Sequence, residues 1–247
     1  MVGDIVASVD GKESIVSGHF PQGLKPVYRV TFSDGRHVDA GLEHQWEVNN
    51  KSWKEPKILT TADVIEMMKN PANKNRLCIP LCNGEFGEDI GLTIDPYFLG
   101  ALIGDGGFSQ SGVRFSNPDS FILDSIQTMV GNLEVKHVSG CDYAISSERG
   151  KGNWLIKELK KFDLFGKRSH EKHIPSNYLA ASRSSRLKLI NGLMDTDGTI
   201  EKHGTMTYTT TSKQLANDFL NLVRSLGYWA KEKSRITNYT YRGEKKQ

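Results

Sequence analysis

Two short runs could hold paired carboxylates: FLGALIGDG from Phe98 to Gly106 and INGLMDTDG from Ile190 to Gly198. Each is an apolar stretch ending in Asp-Gly, with Asp105 closing the first and Asp197 the second. Small residues recur four apart, at Gly100 and Gly104 and at Gly192 and Thr196. On a helix such residues share one face. Missing side chains there let two backbones approach closely. Packed together, the helices would bring Asp105 and Asp197 side by side at their C-terminal tips. The helix C-terminus is already partly negative, and the two acids repel each other. A divalent cation resolves that conflict, since Mg²⁺ takes carboxylate, phosphate and water oxygens. Such a site could activate water for phosphodiester hydrolysis. The plainer reading, an Asp capping a turn through its following Gly, suits one Asp-Gly well but accounts poorly for two at matched positions.

The elements around the runs repeat. At an offset of 92 residues Gly100 meets Gly192, Asp105 meets Asp197, Gly106 meets Gly198 and Gly112 meets Gly204. From Asp95 onward the spacing predicts α-β-β-α-β-β-α. The first helix covers Tyr97 to Ile103, short strands lie near Phe108 and at Val113 to Phe115, and a helix follows at Phe121 to Met129. A strand pair at Leu133 to Val138 and Tyr143 to Ser146 leads to a basic amphipathic helix at Trp154 to Phe165. A second copy starts before Ile190, with strands near Ile200 and at Met206 to Thr210 and a helix at Ser212 to Leu226. Repetition of this kind predicts a pseudo-twofold pair of subdomains.

The first ninety residues read differently. VYRVTF alternates from Val27 to Phe32, Asp34-Gly35 marks a tight turn, and Trp46 and Val48 continue the alternation. A helix is predicted at Thr61 to Met68, capped by Thr60 or Thr61 and ended by Asn70-Pro71, with a short strand at Ile79 to Leu81.

Charge divides the same way. Residues 1–96 carry 10 Lys and Arg against 14 Asp and Glu, whereas residues 97–247 carry 22 against 15. The second part is therefore expected to meet a polyanion, although a solvated basic face explains the charge equally well. No apolar run is long enough for a membrane span, and no basic-then-apolar signal opens the chain, so a cytoplasmic protein is expected. Cys78, Cys82 and Cys141 are too few for a disulfide scaffold and are read as reduced, mostly buried thiols.

The two motifs resemble those of the LAGLIDADG, or dodecapeptide, homing endonucleases, particularly those nested in inteins. The run KHIPSNYLAASRSSRLKLINGLMDTDGTI is similar to the family over nearly its whole length. In the first motif Ile103-Gly104 replaces the inner Asp-Ala, a departure that spares the final Asp. The resemblance implies a mixed fold: an all-β partial splicing (Hint) domain at residues 1–92, then an α+β endonuclease at 93–247. The endonuclease would comprise two pseudo-symmetric αββαββα subdomains, about 93–182 and about 183–247. On the family's pattern two strands and a helix should follow Gly227, so the second subdomain is expected to be incomplete.

For the site, the resemblance implies that Asp105 and Asp197 bind catalytic Mg²⁺ or Mn²⁺, with Asp195 in a secondary role. Lys172, before Ile174-Pro175, matches the family's basic residue that could polarise the attacking water. A surface lysine is the alternative there. The equivalent lysine of the second copy has no clear match. Double-stranded DNA with a long asymmetric target would lie on a saddle of strands, contacted by Arg114, Lys136, Lys202, Lys231, Lys233 and Arg235. His203, Tyr208 and Thr210 could also face the groove. Since one chain carries both motifs, a monomer is expected. More weakly, GDIVASVDGKESIVSGHFPQGLKPVYRVTFSDGRHVDAGLEHQWEV resembles the N-terminal half of a Hint domain. His44 then matches the histidine that assists the upstream acyl shift, with Gly41 where the family usually has Thr. Met1 is not the Cys or Ser nucleophile that splicing needs, so this chain is not expected to splice by itself. Besides a homing nuclease, a splicing-element fragment and a non-catalytic nucleic-acid-binding module remain open.

Overall fold

A computed structural model describes residues 1–8, 10–109, 112–236, 239–241 and 244–246. The described chain runs through β1 (Ile5–Ala7), β2 (Glu13–Ile15), β3 (Tyr28–Thr31), β4 (His37–Ala40), β5 (Gln45–Asn50), β6 (Lys57–Thr60), α1 (Thr61–Met68) and β7 (Leu77–Cys78). The α-β-β-α-β-β-α stretch follows as α2 (Pro96–Asp105), β8 (Gly106–Ser109), β9 (Gly112–Ser116), α3 (Ser120–Met129), β10 (Glu134–Ser139), β11 (Asp142–Ser146) and α4 (Trp154–Lys161). Then come α5 (Ser176–Leu179), α6 (Arg183–Asp197), β12 (Gly198–Ile200), β13 (Met206–Tyr208), α7 (Lys213–Ser225), β14 (Tyr239–Tyr241) and β15 (Glu244–Lys246). The whole is a mixed α and β chain with small antiparallel sheets. Among the described residues, no helix is long and apolar enough to cross a membrane.

Two compact units divide the chain. One comprises residues 1–21 and 81–228, the other residues 22–80 and 229–247. In the latter, β3 and β4 form a hairpin and β5 lies between β6 and β7. Its helix α1 begins where the sequence predicts, because Thr60 and Asp63 build a reciprocal cap. The Thr60 hydroxyl accepts from Asp63 N at 3.2 Å, and Thr60 N donates to the Asp63 carboxylate at 2.9 Å. β7 lies two residues earlier than the predicted Ile79–Leu81 strand, and α4 ends four residues before Phe165.

The larger unit holds the apolar core. Its four-stranded sheet has the order β10-β11-β9-β8. Phe115, Ile126, Ile145, Leu155 and Leu159 pack with the almost wholly buried α2. Asp95 starts α2 by accepting from Tyr97 N and Phe98 N, with Pro96 in the first turn, where a missing N–H costs nothing. The segment 82–91 packs on α6 and the end of α7. Asp89 accepts from Ser182 and Ser185, and Cys82 lies against the last carbonyls of α7. Arg186, fully buried, spreads its guanidinium over the carbonyls of Ala181, Gly84, Phe86 and Ser225.

The cysteines differ from expectation. All three are free, but Cys78 and Cys141 are exposed and Cys82 is half-buried. Cys78 ends the two-residue β7 and Cys141 lies in the turn between β10 and β11, whereas Cys82 packs against the last carbonyls of α7.

Candidate active site

Helices α2 and α6 meet backbone to backbone. A methyl group on Gly100 would strike the Leu189 carbonyl oxygen and lie 3.0 Å from Leu193 N. One on Gly192 would strike the Tyr97 carbonyl oxygen and lie 2.8 Å from Ala101 N. Only glycine admits such an approach. Further along the seam Gly104 faces Thr196, and a methyl there would come 3.4 Å from the Asp197 carboxylate. Tyr97 reaches across at the other edge, its hydroxyl donating to Asp195 at 2.8 Å. The seam therefore carries both motif aspartates to one place, half-buried at the last turns of their helices.

The two acids are treated differently. Asp105 accepts from the amide of Asn117 at 2.6 Å, and Asn117 is itself buried and fixed by Asp119 N at 2.8 Å. No side-chain donor reaches the Asp197 carboxylate among the described residues. Burial first, and then the negative charge of Asp105, holds Asp197 above the usual carboxylate range, while Lys172 acts in the opposite sense.

Lys172 is not on the surface. It is 4% exposed, and its ammonium donates to the carbonyls of Ile103 at 2.6 Å, Gly104 at 3.1 Å and Gly106 at 2.7 Å. Those carbonyls are the negative end of α2, so the cation caps the helix that presents Asp105. The ammonium also lies 5.1 Å from the centre of the Phe108 ring. Burial pushes its pKa down to about 8, against the opposing pull of Asp197 and Asp105. Its backbone is anchored by α7, where Ser212 donates to the Lys172 carbonyl at 2.6 Å and Asp218 accepts from Ile174 N at 3.0 Å.

A half-open cleft of about 230 Å³ adjoins these groups, lined among others by Gly104, Ser169, Lys172, Asp197 and Thr209–Thr211. The oxygen donors present suit a hard divalent cation. Among the described residues no third His, Cys, Asp or Glu joins the pair. A cation there would complete its shell from water, backbone or substrate, as Mg²⁺ commonly does.

The other expected residues are scattered. Arg114 and Lys136 are exposed and share one row of the sheet, since both oppose Ala144, and Lys136 pairs with Glu134 at 2.5 Å. Lys202 and His203 sit exposed in the β12–β13 turn. Lys231, Lys233 and Arg235 lie in an irregular exposed stretch of the second unit, not on strands. Tyr208 turns inward rather than toward a groove, with its ring stacked on Phe219. His44 is exposed at the start of β5, its ring 4.5 Å from that of Trp46, and its carbonyl accepts from Thr61 N. Asn117, Ser212 and Asp218 escaped the sequence reading, and only the Asn-Pro-Asp turn after β9 signals the first.

Residues 184–246 match the LAGLIDADG-like domain family. The replicative DNA helicase DnaB of Mycobacterium intracellulare is 27% identical over 250 residues, covering 92% of this chain and 39% of that protein. The replicative DNA helicase DnaB of Rhodothermus marinus is 26% identical over 243 residues, covering 89% of this chain and 24% of that protein. The chain thus spans well under half the length of these relatives. The LAGLIDADG-like match, which runs from α6 through the β12–β13 hairpin and α7 to residue 246, supports a DNA-cleaving role of the homing-endonuclease type.

Proposed function

We propose that this chain is a site-specific double-strand DNA endonuclease of the intein-homing type, with Asp105 and Asp197 holding the catalytic divalent metal. The observation that carries this reading is the glycine seam, which delivers two like-charged carboxylates to one spot beside an open cleft. A divalent cation bound there supplies Lewis-acid polarisation of the phosphodiester and a water acidic enough to attack it. Asn117 orients the Asp105 carboxylate from the sheet side. Lys172 places a positive charge between the acids and the end of α2, which offsets their mutual repulsion and the charge of an incoming phosphate. The hydroxyls of Ser169 and Thr209–Thr211 line the cleft and can donate to phosphate oxygens. Arg114 and Lys136, on one face of the sheet, suit contacts to the DNA backbone. The similarity to replicative DNA helicases fits an insertion within such a host gene.

The test follows from that fit. Plasmids carrying an uninterrupted replicative helicase gene are incubated with the chain and Mg²⁺ or Mn²⁺. Discrete double-strand cleavage is expected, abolished by Asp105→Asn or Asp197→Asn with DNA retention largely kept. Metal-independent retention without nicking would instead make the chain a non-catalytic nucleic-acid-binding module. The similarity to a replicative DNA helicase over 92% of this chain also fits a second reading, a splicing-element fragment with His44 as its assisting histidine. Splice junctions flanking the reading frame in the gene would decide that point.

A further inference from the structure

Each hairpin that follows a motif aspartate sets an aromatic ring opposite its first glycine, and the two rings differ by one hydroxyl. In the first, Gly106 pairs with Phe115, and in the second Gly198 pairs with Tyr208. Phe115 is fully buried. Tyr208 takes the corresponding place, stacked on Phe219 with 4.1 Å between ring centres and packed against the apolar core. Its hydroxyl is buried and is the single such side-chain atom with no hydrogen-bond partner among the described residues. A phenylalanine would fill the site as Phe115 does and leave nothing unsatisfied, so the hydroxyl is costly unless something accepts its proton.

The acceptor at hand is Asp197. Tyr208 pairs with the very next residue, and Thr209 N donates to the Asp197 carbonyl at 3.3 Å. Asp105 has the Asn117 amide, whereas Asp197 has no side-chain donor among the described residues. The register position of Asn117, two residues beyond Phe115, is filled in the second hairpin by Thr210, whose hydroxyl accepts from Ser212 N at 3.1 Å. Burial and the charge of Asp197 both push the Tyr208 phenol upward, which keeps it a donor.

We propose that Tyr208 is the positioning residue for Asp197, its hydroxyl donating to that carboxylate directly or through one water and holding it for the divalent cation. It does for the second motif what Asn117 does for the first. The inference rests on the reading of Asp197 as a metal ligand.

Tyr208→Phe in the full chain tests it, with Mn²⁺ alone as the probe and unbound Mn²⁺ counted by electron paramagnetic resonance. The expected result is Mn²⁺ affinity weakened about tenfold, the usual scale for losing a group that orients a metal ligand. The metal-free unfolding midpoint should stay level or rise, because the variant removes an unbonded buried hydroxyl. Wild-type affinity in Tyr208→Phe, alongside binding lost in Asp197→Asn, overturns the inference alone. A lower metal-free midpoint with unchanged affinity also overturns it, since the hydroxyl would then serve only the fold. Affinity untouched by Asp197→Asn overturns the metal reading and this inference together.

Discussion

Replacing Gly192 by alanine sets two effects of known size against each other. Gly192 lies in the interior of α6, where alanine is favoured by about 1 kcal/mol through backbone entropy. On propensity alone the variant would be more stable. The added methyl, however, would strike the Tyr97 carbonyl oxygen and lie 2.8 Å from Ala101 N and 3.0 Å from Tyr97 C. Ordinary carbon contacts begin near about 3.5 Å, so α2 must retreat by roughly 1 Å. All three obstacles are backbone atoms and no rotamer change relieves them. Overpacking costs about 1–3 kcal/mol, and rigid obstacles put this site at the upper end. The net loss is about 2 kcal/mol, or roughly 4–8 °C in unfolding midpoint for a chain of this size. The retreat also parts Asp105 from Asp197, and a misplacement of about 1 Å costs on the order of 100-fold in rate. Thermal unfolding and plasmid cleavage read the two effects separately. Gly107→Ala is the control, since a methyl there meets nothing closer than 3.6 Å. A Gly192→Ala midpoint equal to or above wild type would refute the close seam.

Asp197→Asn should abolish cleavage and yet raise the unfolding midpoint at neutral pH. Asp197 sits above the usual carboxylate range because of burial and Asp105, so its favourable contribution exists at acid pH and is lost as pH rises through the folded value. The midpoint gain of the variant should therefore vanish under acid conditions, as calorimetry across pH would show. Lys172 has a folded pKa of about 8 against 10.5 in the unfolded chain, so wild type should gain stability relative to Lys172→Met as pH rises between those values. The gain amounts to about 3 kcal/mol over that window, and denaturant titrations at pH 7.5 and 10.5 would measure it. Arg186→Ala strands buried carbonyls of Gly84, Phe86, Ala181 and Ser225 and should cost about 3–6 kcal/mol. Arg186→Lys should recover only part of that loss, because an ammonium has three donors in place of five.

The seam was legible because its signal is local. Small residues four apart and a terminal Asp appear twice, and the chain needs no distant partner to make a helix of each run. The fate of charged side chains was not local. Arg186 carries no signal in sequence, and Lys172 is marked only by its place before Ile174-Pro175, yet their acceptors are carbonyls of segments up to about a hundred residues away. The inward turn of Tyr208 is hidden from the repeat for a geometric reason. An offset of 92 aligns Asp105 with Asp197 but sets Ser116 against Tyr208, whereas the second hairpin is one residue longer and brings Tyr208 to the place of Phe115. A slip of one residue reverses which face a side chain points to. Lys231, Lys233 and Arg235 were expected on strands by analogy with the first copy, and the described backbone there is irregular.

The segment 82–91 bears on how the part that carries the two motifs could be transplanted. Sequence repetition suggests cutting just before the first motif, at residue 93. A chain begun there would deprive Arg186 of two carbonyl acceptors, and Ser182 and Ser185 of Asp89. The start of α6, which carries Asp197 at its far end, would lose its anchor. A portable version must therefore keep the stretch from Cys82 onward, so the smallest exchangeable module is larger than the repeat that makes it recognisable.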